Sequence, residues 1–364
     1  MKTMSIRKSQ VLASLLLFLT SAALAKTVQV GTCLPNSQTY STISQAVSSV
    51  PPGSTVLVCP GTYPEQVTIT QPLTLRGVQN GNAANPTIIV PAGGLTKTVA
   101  TGVGNFYYQL LANNGTSGAV NVSNITVVGS GNGLPNAAPL AGVFYNNTSG
   151  TVSRMAIFNQ LGTGVGYGLI AYNTGSSAVT VSVLRCSIHD FDQGGVSIGG
   201  NLTATIKSNE IVTSNSFSGS SAPSGIDLYS SGTVANNLVI THPQPPGVSA
   251  NAGISIYSDV VVANNTVEDF SIGIWALGDS ATVTSNKVLL AADGVVISGN
   301  NNYVEHNSFT NGGDGISFNC TGTGNTVIHN VFNDVYGGIV EPHGTNTIAP
   351  NTFINVAKVI SPPC

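Results

Sequence analysis

"VANNTV", residues 262–267, decides the fold. Two apolar ends, Val262 and Val267, enclose a pair of asparagines, and the phrase keeps returning. It reads "IKSNEI" at 206–211, "VANNLV" at 234–239, "VTSNKV" at 283–288, "VEHNSF" at 304–309, "VIHNVF" at 327–332 and "IAPNTF" at 348–353. Aligned as apolar–x–x–Asn–x–apolar, the asparagines are Asn209, Asn237, Asn265, Asn286, Asn307, Asn330 and Asn351, spaced by 28, 28, 21, 21, 23 and 21 residues. Upstream, "VSNITV" (122–127), "VSRMAI" (152–157) and "VLRCSI" (183–188) keep the apolar positions and put Ile125, Met155 and Cys186 in the asparagine's place, which makes ten rungs.

A second phrase, Gly–apolar–x–apolar, follows the rungs: "GVSI" (195–198), "GIDL" (225–228), "GISI" (253–256), "GIWA" (273–276), "GVVI" (294–297) and "GISF" (315–318). Such alternation describes a strand with one buried face. Helical spacing is absent from 120–353, and leucine is too scarce for a leucine-rich repeat. A period of this length with short strands and Gly/Asn turns specifies a solenoid. Three short strands fill a coil of about twenty-one residues, so the expected class is an all-β parallel β-helix of about ten or more coils. Each strand then pairs with its equivalent one coil away, at about 4.8 Å. Val262, Val267, Ile254 and Ile256 point into the bore, each contributing about 1.5–3 kcal/mol when well buried. The recurring asparagine is expected at a tight bend, bonding up and down the axis through its amide and tolerating the bend's backbone angles. Cys186 becomes a small buried hydrophobe, not a nucleophile.

The ends of the chain frame this solenoid. Met1 to Ala25 reads as a secretion signal: a basic start, the apolar run "VLASLLLFLT", and "ALA" before Lys26. An uncleaved anchor is the alternative. Residues 26–364 then form one domain, with 26–53 as its N-terminal cap. In "YSTISQAVSSV" (40–50), Ile43, Ala46, Val47 and Val50 share a helical face, Ser41 or Thr42 caps its start, and "PPG" stops it. The leader holds three of the eleven Lys and Arg; the remaining eight face fourteen Asp and Glu, a net charge of −6. That balance disfavours nucleic acid and anionic membranes as partners. Of five cysteines, Cys33 and Cys59 flank one unit and are expected to form a disulfide worth roughly 3 kcal/mol. Cys320 and Cys364 are a second candidate pair.

The segment "YSTISQAVSSVPPGSTVLVCPGTYPEQVTITQPLTLRG" (40–77), followed by asparagine-ladder coils, resembles the pectin-lyase-like superfamily of right-handed parallel β-helix proteins. The resemblance covers about 33–353. It implies the fold, and it implies a polysaccharide substrate lying across the outer face of one sheet. The superfamily's catalytic motifs are not reproduced. The "QD" and "DFIFG" segments of pectin methylesterases and the "GHG" turn of polygalacturonases are missing. Arg154 and Arg185 fall on an outer bend, not on the sheet where pectate lyases carry their arginine base. "VEPHG" (340–344) matches the "DPH" core of mannuronan epimerases only in part and reads as a cap.

By this alignment the strand carrying the Gly–apolar–x–apolar phrase is the substrate strand. Its outward residues, up the stack, are Phe144 and Asn146, Ile170 and Tyr172, Ser197, Asp227 and Tyr229, Ser255 and Tyr257, Trp275, Val296 and Ser298, and Ser317 and Asn319. Tyr172, Tyr229, Tyr257 and Trp275 are the candidate substrate-binding residues, because aromatic faces stack on sugar C–H groups. Asp227 is the first candidate catalytic residue, with Asp190, His189 and His242 from flanking loops. The competing view of the aromatics is plain cross-strand stabilisation. Asp190, Asp192 and Asp227 are candidates for calcium or an acid–base pair, against a reading as solvated loop acids. His306 and His329 stand on neighbouring rungs without an evident third ligand, so no metal site is assigned.

The face carries almost no Lys or Arg, which favours neutral glycans over polyuronates. The expectation is a secreted, monomeric β-helix, extracellular, periplasmic or on the cell surface, that binds and cleaves polysaccharide as a lyase or glycoside hydrolase. The alternative is a non-catalytic surface or adhesion module.

Overall fold

Within each repeat the chain turns a corner at the asparagines. In a computed structural model describing residues 24–79, 84–101, 104–213, 223–242, 252–319, 322–340 and 345–361, strand Val260–Ala263 ends at Asn264 and Asn265. Strand Thr266–Glu268 leaves in a new direction, and Ile272–Ala276 completes the coil. Stacking these three segments produces three sheets of 14, 12 and 13 strands, here the first, second and third. Pairing within each stack is parallel, as in; a short antiparallel strand, Thr98–Thr101, lies beside Gly104–Ala112. Between the asparagine corner and the glycine phrase, therefore, a three-residue second-sheet strand intervenes.

Both apolar ends of the repeated phrase face the bore. Val234, Val262, Val283, Val304 and Val327 are in register in the first sheet. Val239, Val267, Val288, Phe309 and Phe332 are in register in the second. All are essentially inaccessible to water. Near the C-terminal end the bore is filled by stacked rings, Phe309 on Phe332 at 5.1 Å and Phe332 on Phe353 at 4.9 Å.

The asparagine ladder bonds as its amide chemistry demands. Asn265 Oδ1 accepts from the backbone N and from Nδ2 of Asn237, both at 2.9 Å, while its own Nδ2 donates to Val234 O and to Asn286 Oδ1. Cys186 starts the ladder by donating its backbone N–H to Asn209 Oδ1 at 2.8 Å. Its thiol is buried, and burial pushes its pKa up to about 11. One expectation is corrected. The unusual backbone angle does not belong to the ladder asparagine but to the residue before it. Arg154, Arg185, Ser208, Asn236, Asn264, Ser285, His306 and His329 all have φ between 51° and 58°. The left-handed residue turns the chain, and the following residue, Met155, Cys186 or a ladder asparagine, is thereby aimed inward. A second ladder, not anticipated, runs through Asn302, Asn325 and Asn346 at the corner entering the first sheet.

The glycine of the second phrase also has a steric reason. A Cβ on Gly253 would lie 2.3 Å from Val267 Cγ1, and one on Gly273 would lie 2.4 Å from Val288 Cγ1. The second-sheet side chain already fills that angle of the bore, so only glycine fits.

The N-terminal cap is helix Ile43–Ser49, with Ile43, Ala46 and Val47 buried and Thr42 as N-cap. Glu65 adds a cap from outside, its carboxylate accepting from Ile43 N at 2.8 Å and Ser44 N at 2.9 Å. Cys33 and Cys59 form a disulfide. Cys320, Cys364, most of the signal segment and most of "VEPHG" lie outside the described residues. No helix among the described residues is long and apolar enough to cross a membrane.

Candidate functional site

Parallel register fixes what stands above what on the outer face of the third sheet. Phe144, Ile170, Ser197, Asp227, Ser255, Trp275, Val296 and Ser317 form one column. Asn146, Tyr172 and Gly199 open a second. It continues through Tyr229, Tyr257, Leu277 and Ser298, whose amides donate to Ile198, Leu228, Ile256 and Ala276. Tyr172, Tyr229, Tyr257 and Trp275 thus share one face. Tyr229 and Tyr257 stack at 4.1 Å between centroids, and both are exposed. Trp275 Nε1 donates to Ser298 Oγ at 3.0 Å.

Gly199 creates a gap in the tyrosine column. A Cβ there would lie 3.0 Å from Tyr172 Cε2 and 3.4 Å from Tyr229 Cβ. Without one, the floor between the two rings drops to backbone. The resulting cavity, about 410 Å³, is lined by Phe106, Phe144, Tyr167, Tyr172, Gly199 and Tyr229 among others. Its apolar wall is a separate cluster outside the bore, built from Phe106, Tyr108, Leu111, Phe144 and Ile170.

Asp227 stands beside this cavity. Burial raises its carboxyl to about 6, even though the Ser255 and Ser224 side chains hydrogen-bond it and oppose the shift. Gly194 leaves room for Tyr167 on the same side: a Cβ there would touch the Tyr167 ring at 3.0 Å and come 3.9 Å from Asp227 Oδ2. Tyr167 is itself pushed up to about 12, by burial first and by the Asp227 charge second. The Tyr229 hydroxyl is raised for the same two reasons, in that order. An aromatic slot therefore meets a carboxyl that changes charge near pH 6.

The other candidates stand elsewhere. His189 and Asp190 belong to second-sheet strand Ser187–Phe191, where their side chains pair at 3.1 Å and the imidazole stacks on Phe158 at 5.1 Å. Asp192 is not a solvated loop acid. It is fully buried, and its Oδ2 accepts from Thr163 N at 3.1 Å and Gly164 N at 2.8 Å, pinning that loop. His242 follows second-sheet strand Leu238–Ile240, exposed, its amide donating to Thr213 Oγ1 at 3.1 Å. Asp190, Asp192 and Asp227 are thus on a second-sheet strand, in a buried loop contact and on the third sheet respectively. Arg154, Arg185 and Lys207 line a cavity of about 290 Å³ at the corner between the first and second sheets, not on the third.

Two acids on the third sheet escaped sequence reading. Asp293 and Asp314 are neighbours in register, and the Ser317 hydroxyl donates to Asp293. Burial and then the Asp293 charge raise the Asp314 carboxyl, while Lys358 lowers it. Their sequence mark was an Asp directly before the glycine in "DGVVI" and "DGISF".

Comparison with known proteins gives the same architecture. Residues 29–244 match the family described as Protein of unknown function (DUF1565), and residues 211–353 match "Right handed beta helix region". A GH136 lacto-N-biosidase from Eubacterium ramulus is similar with a TM-score of 0.64 at 16% identity, over 90% of this chain and 68% of that one. A DFA-IIIase from Arthrobacter chlorophenolicus A6 without its lid gives 0.54 at 16% identity, over 85% and 89%. The Dettilon tailspike protein gives 0.50 at 16% identity, over 86% and 64%. At these identities the likeness is one of fold. No curated protein matches the chain.

Proposed function

The chain belongs to the DUF1565 family, and on that premise we propose that it binds a neutral extracellular glycan across the outer face of its third sheet. The observation that carries this reading is the slot over Gly199 between Tyr172 and Tyr229. A strip of tyrosine and tryptophan offers flat apolar faces to sugar C–H groups, with the indole held in place by its bond to Ser298 Oγ. None of the cavity's lining residues is Lys or Arg, and ionised Asp227 would repel a polyuronate. Solved proteins of similar fold include one that acts on carbohydrate by name, the lacto-N-biosidase. The disulfide fits an oxidising, extracellular setting.

Cleavage is the second reading, favoured by Asp227. A carboxyl protonated up to about pH 6 can donate to a glycosidic oxygen. A hydrolase needs a second carboxylate roughly 5–10 Å away. Along this sheet the next one, Asp293, is three coils on and three residues to one side, more than about 14 Å away by the coil spacing alone. Binding is therefore the primary assignment.

The test is a panel of neutral and uronate glycans scored for both retention and released product, with wild type beside Trp275→Ala, Tyr229→Ala and Asp227→Asn. Retention of neutral glycans, reduced in Trp275→Ala and Tyr229→Ala, supports the assignment. Product formation lost in Asp227→Asn would promote the cleavage reading. Equal retention by all four proteins refutes both.

A further inference from the structure

The left-handed corner residue has no room inside, so its side chain is free to serve the surface. Along the corner between the first and second sheets this slot holds Arg154, Arg185, Ser208, Asn236, Asn264, Ser285, His306 and His329 in turn. Each lies one coil from the next, so two equal residues in succession become vertical neighbours. His306 and His329 are such a pair: their rings stack at 5.1 Å with planes 21° apart. From the first-sheet strand just before the slot comes Glu305, whose Oε2 lies 3.2 Å from His306 Nδ1. One ligand atom from each of Glu305, His306 and His329 lies within 4.8 Å of the other two.

We propose that Glu305, His306 and His329 form a binding site for a divalent transition-metal ion of the zinc class. Two neutral imidazoles and a carboxylate are the donors that zinc accepts, at about 2.0–2.2 Å each. Around one tetrahedral ion such donors sit about 3.3 Å apart by that bond length, closer than the 4.8 Å bound. Both histidines are exposed, so rotation of the imidazoles can draw the nitrogens together without disturbing the bore. The backbone supplies the pre-organisation. The coil repeat sets the two Cα atoms about 4.8 Å apart, and the left-handed angles, φ 55° and 57°, project both side chains the same way. Tyr303, on the same strand as Glu305, stands beside that carboxylate and outside the donor set. Three protein donors leave a fourth position for water or a ligand from solution. The third sheet takes no part, so the site is independent of the glycan face.

The slot itself provides the control substitution. Asn236 and Asn264 hold the same backbone angle elsewhere in the row, so His306→Asn and His329→Asn preserve the corner while removing a donor. The experiment is calorimetric titration of Zn2+ into the chelator-treated full chain. Wild type, His306→Asn, His329→Asn and Glu305→Gln are compared, with His189→Asn, His242→Asn and His343→Asn as controls for the other imidazoles. Thermal melts with and without Zn2+ accompany each titration, since an ion bound to the folded state raises its Tm. The expected result is one ion per wild-type chain, affinity at least tenfold weaker in each of the three site variants, and no change in the controls. No heat and no Tm shift in wild type, or equal affinity across all variants, overturns the proposal. Loss of binding only in His189→Asn, His242→Asn or His343→Asn likewise overturns it.

Discussion

Asn237 Oδ1 accepts two hydrogen bonds from Asn209, one from its backbone N–H and one from its Nδ2, both at 2.9 Å. The same pair of bonds joins Asn237 to Asn265, Asn265 to Asn286 and Asn286 to Asn307. All these groups are buried, so each carbonyl oxygen satisfies donors that water cannot reach.

Asn265→Ala therefore strands the backbone N–H of Asn237 and one of the two N–H groups of its amide, the other still donating to Ile206 O, and it removes a donor from Val234 O. At about 1–3 kcal/mol for each buried group left unpaired, urea unfolding should report a loss of at least ~2 kcal/mol. Asn264→Gly, one residue earlier, keeps the left-handed angle and should cost well under half as much. Equal losses at the two positions would contradict the ladder.

The Asp227 carboxyl carries a stability signature of definite sign. Its folded pKa, about 6, lies above the unfolded value of 3.8. Between those values the folded state holds the proton and the unfolded state has released it. Stability contributed by this group is thus present at low pH and falls as pH rises from about 4 to about 6. Asp227→Asn should remove that slope. The check is the difference in Tm between variant and wild type at pH 4 and pH 7, with the larger gain for the variant at pH 7.

Cys33 and Cys59 tie the segment before the helix to the first full coil across 26 residues of sequence. Cys33→Ser with Cys59→Ser should lower stability by about 2–4 kcal/mol. Reduction of the wild type should reproduce that loss, while leaving glycan retention unchanged at temperatures where both proteins are folded.

Gly199 has an ordinary backbone angle, since it is absent from the left-handed glycines. Gly199→Ala therefore acts through space alone. A methyl 3.0 Å from Tyr172 Cε2 should crowd the slot, weakening neutral-glycan binding about tenfold, or about 1.4 kcal/mol. The Tm should hardly move.

The columns of the third sheet could be read from sequence because a parallel stack with a fixed phase turns spacing into neighbourhood. Phe144, Ile170, Ser197, Asp227, Ser255 and Trp275 fall into register for that reason alone. What depends on side-chain volume was not readable. The glycine phrase marked a strand, but the clash with Val267 or Val288 that requires glycine appears only when two sheets meet. Asp192 looked like a loop acid because nothing local announces that its partners are Thr163 N and Gly164 N, almost thirty residues earlier. The imidazole pair at 306 and 329 was legible by phase. Glu305, next in sequence, was not counted because strand alternation does not tell which way a residue leans at a corner. Asp293 and Asp314 were missed because the aligned phrase began one residue too late, at the glycine.

The central claim is that the gap over Gly199 is a sugar site. A crystal structure of the protein soaked with a neutral oligosaccharide that it retains in solution tests this most directly. The account predicts a sugar ring above Gly199, between the Tyr172 and Tyr229 side chains, with a hydroxyl or bridging oxygen facing Asp227. A glycan seated instead against Arg154, Arg185 and Lys207, or anywhere off the third sheet, would contradict it.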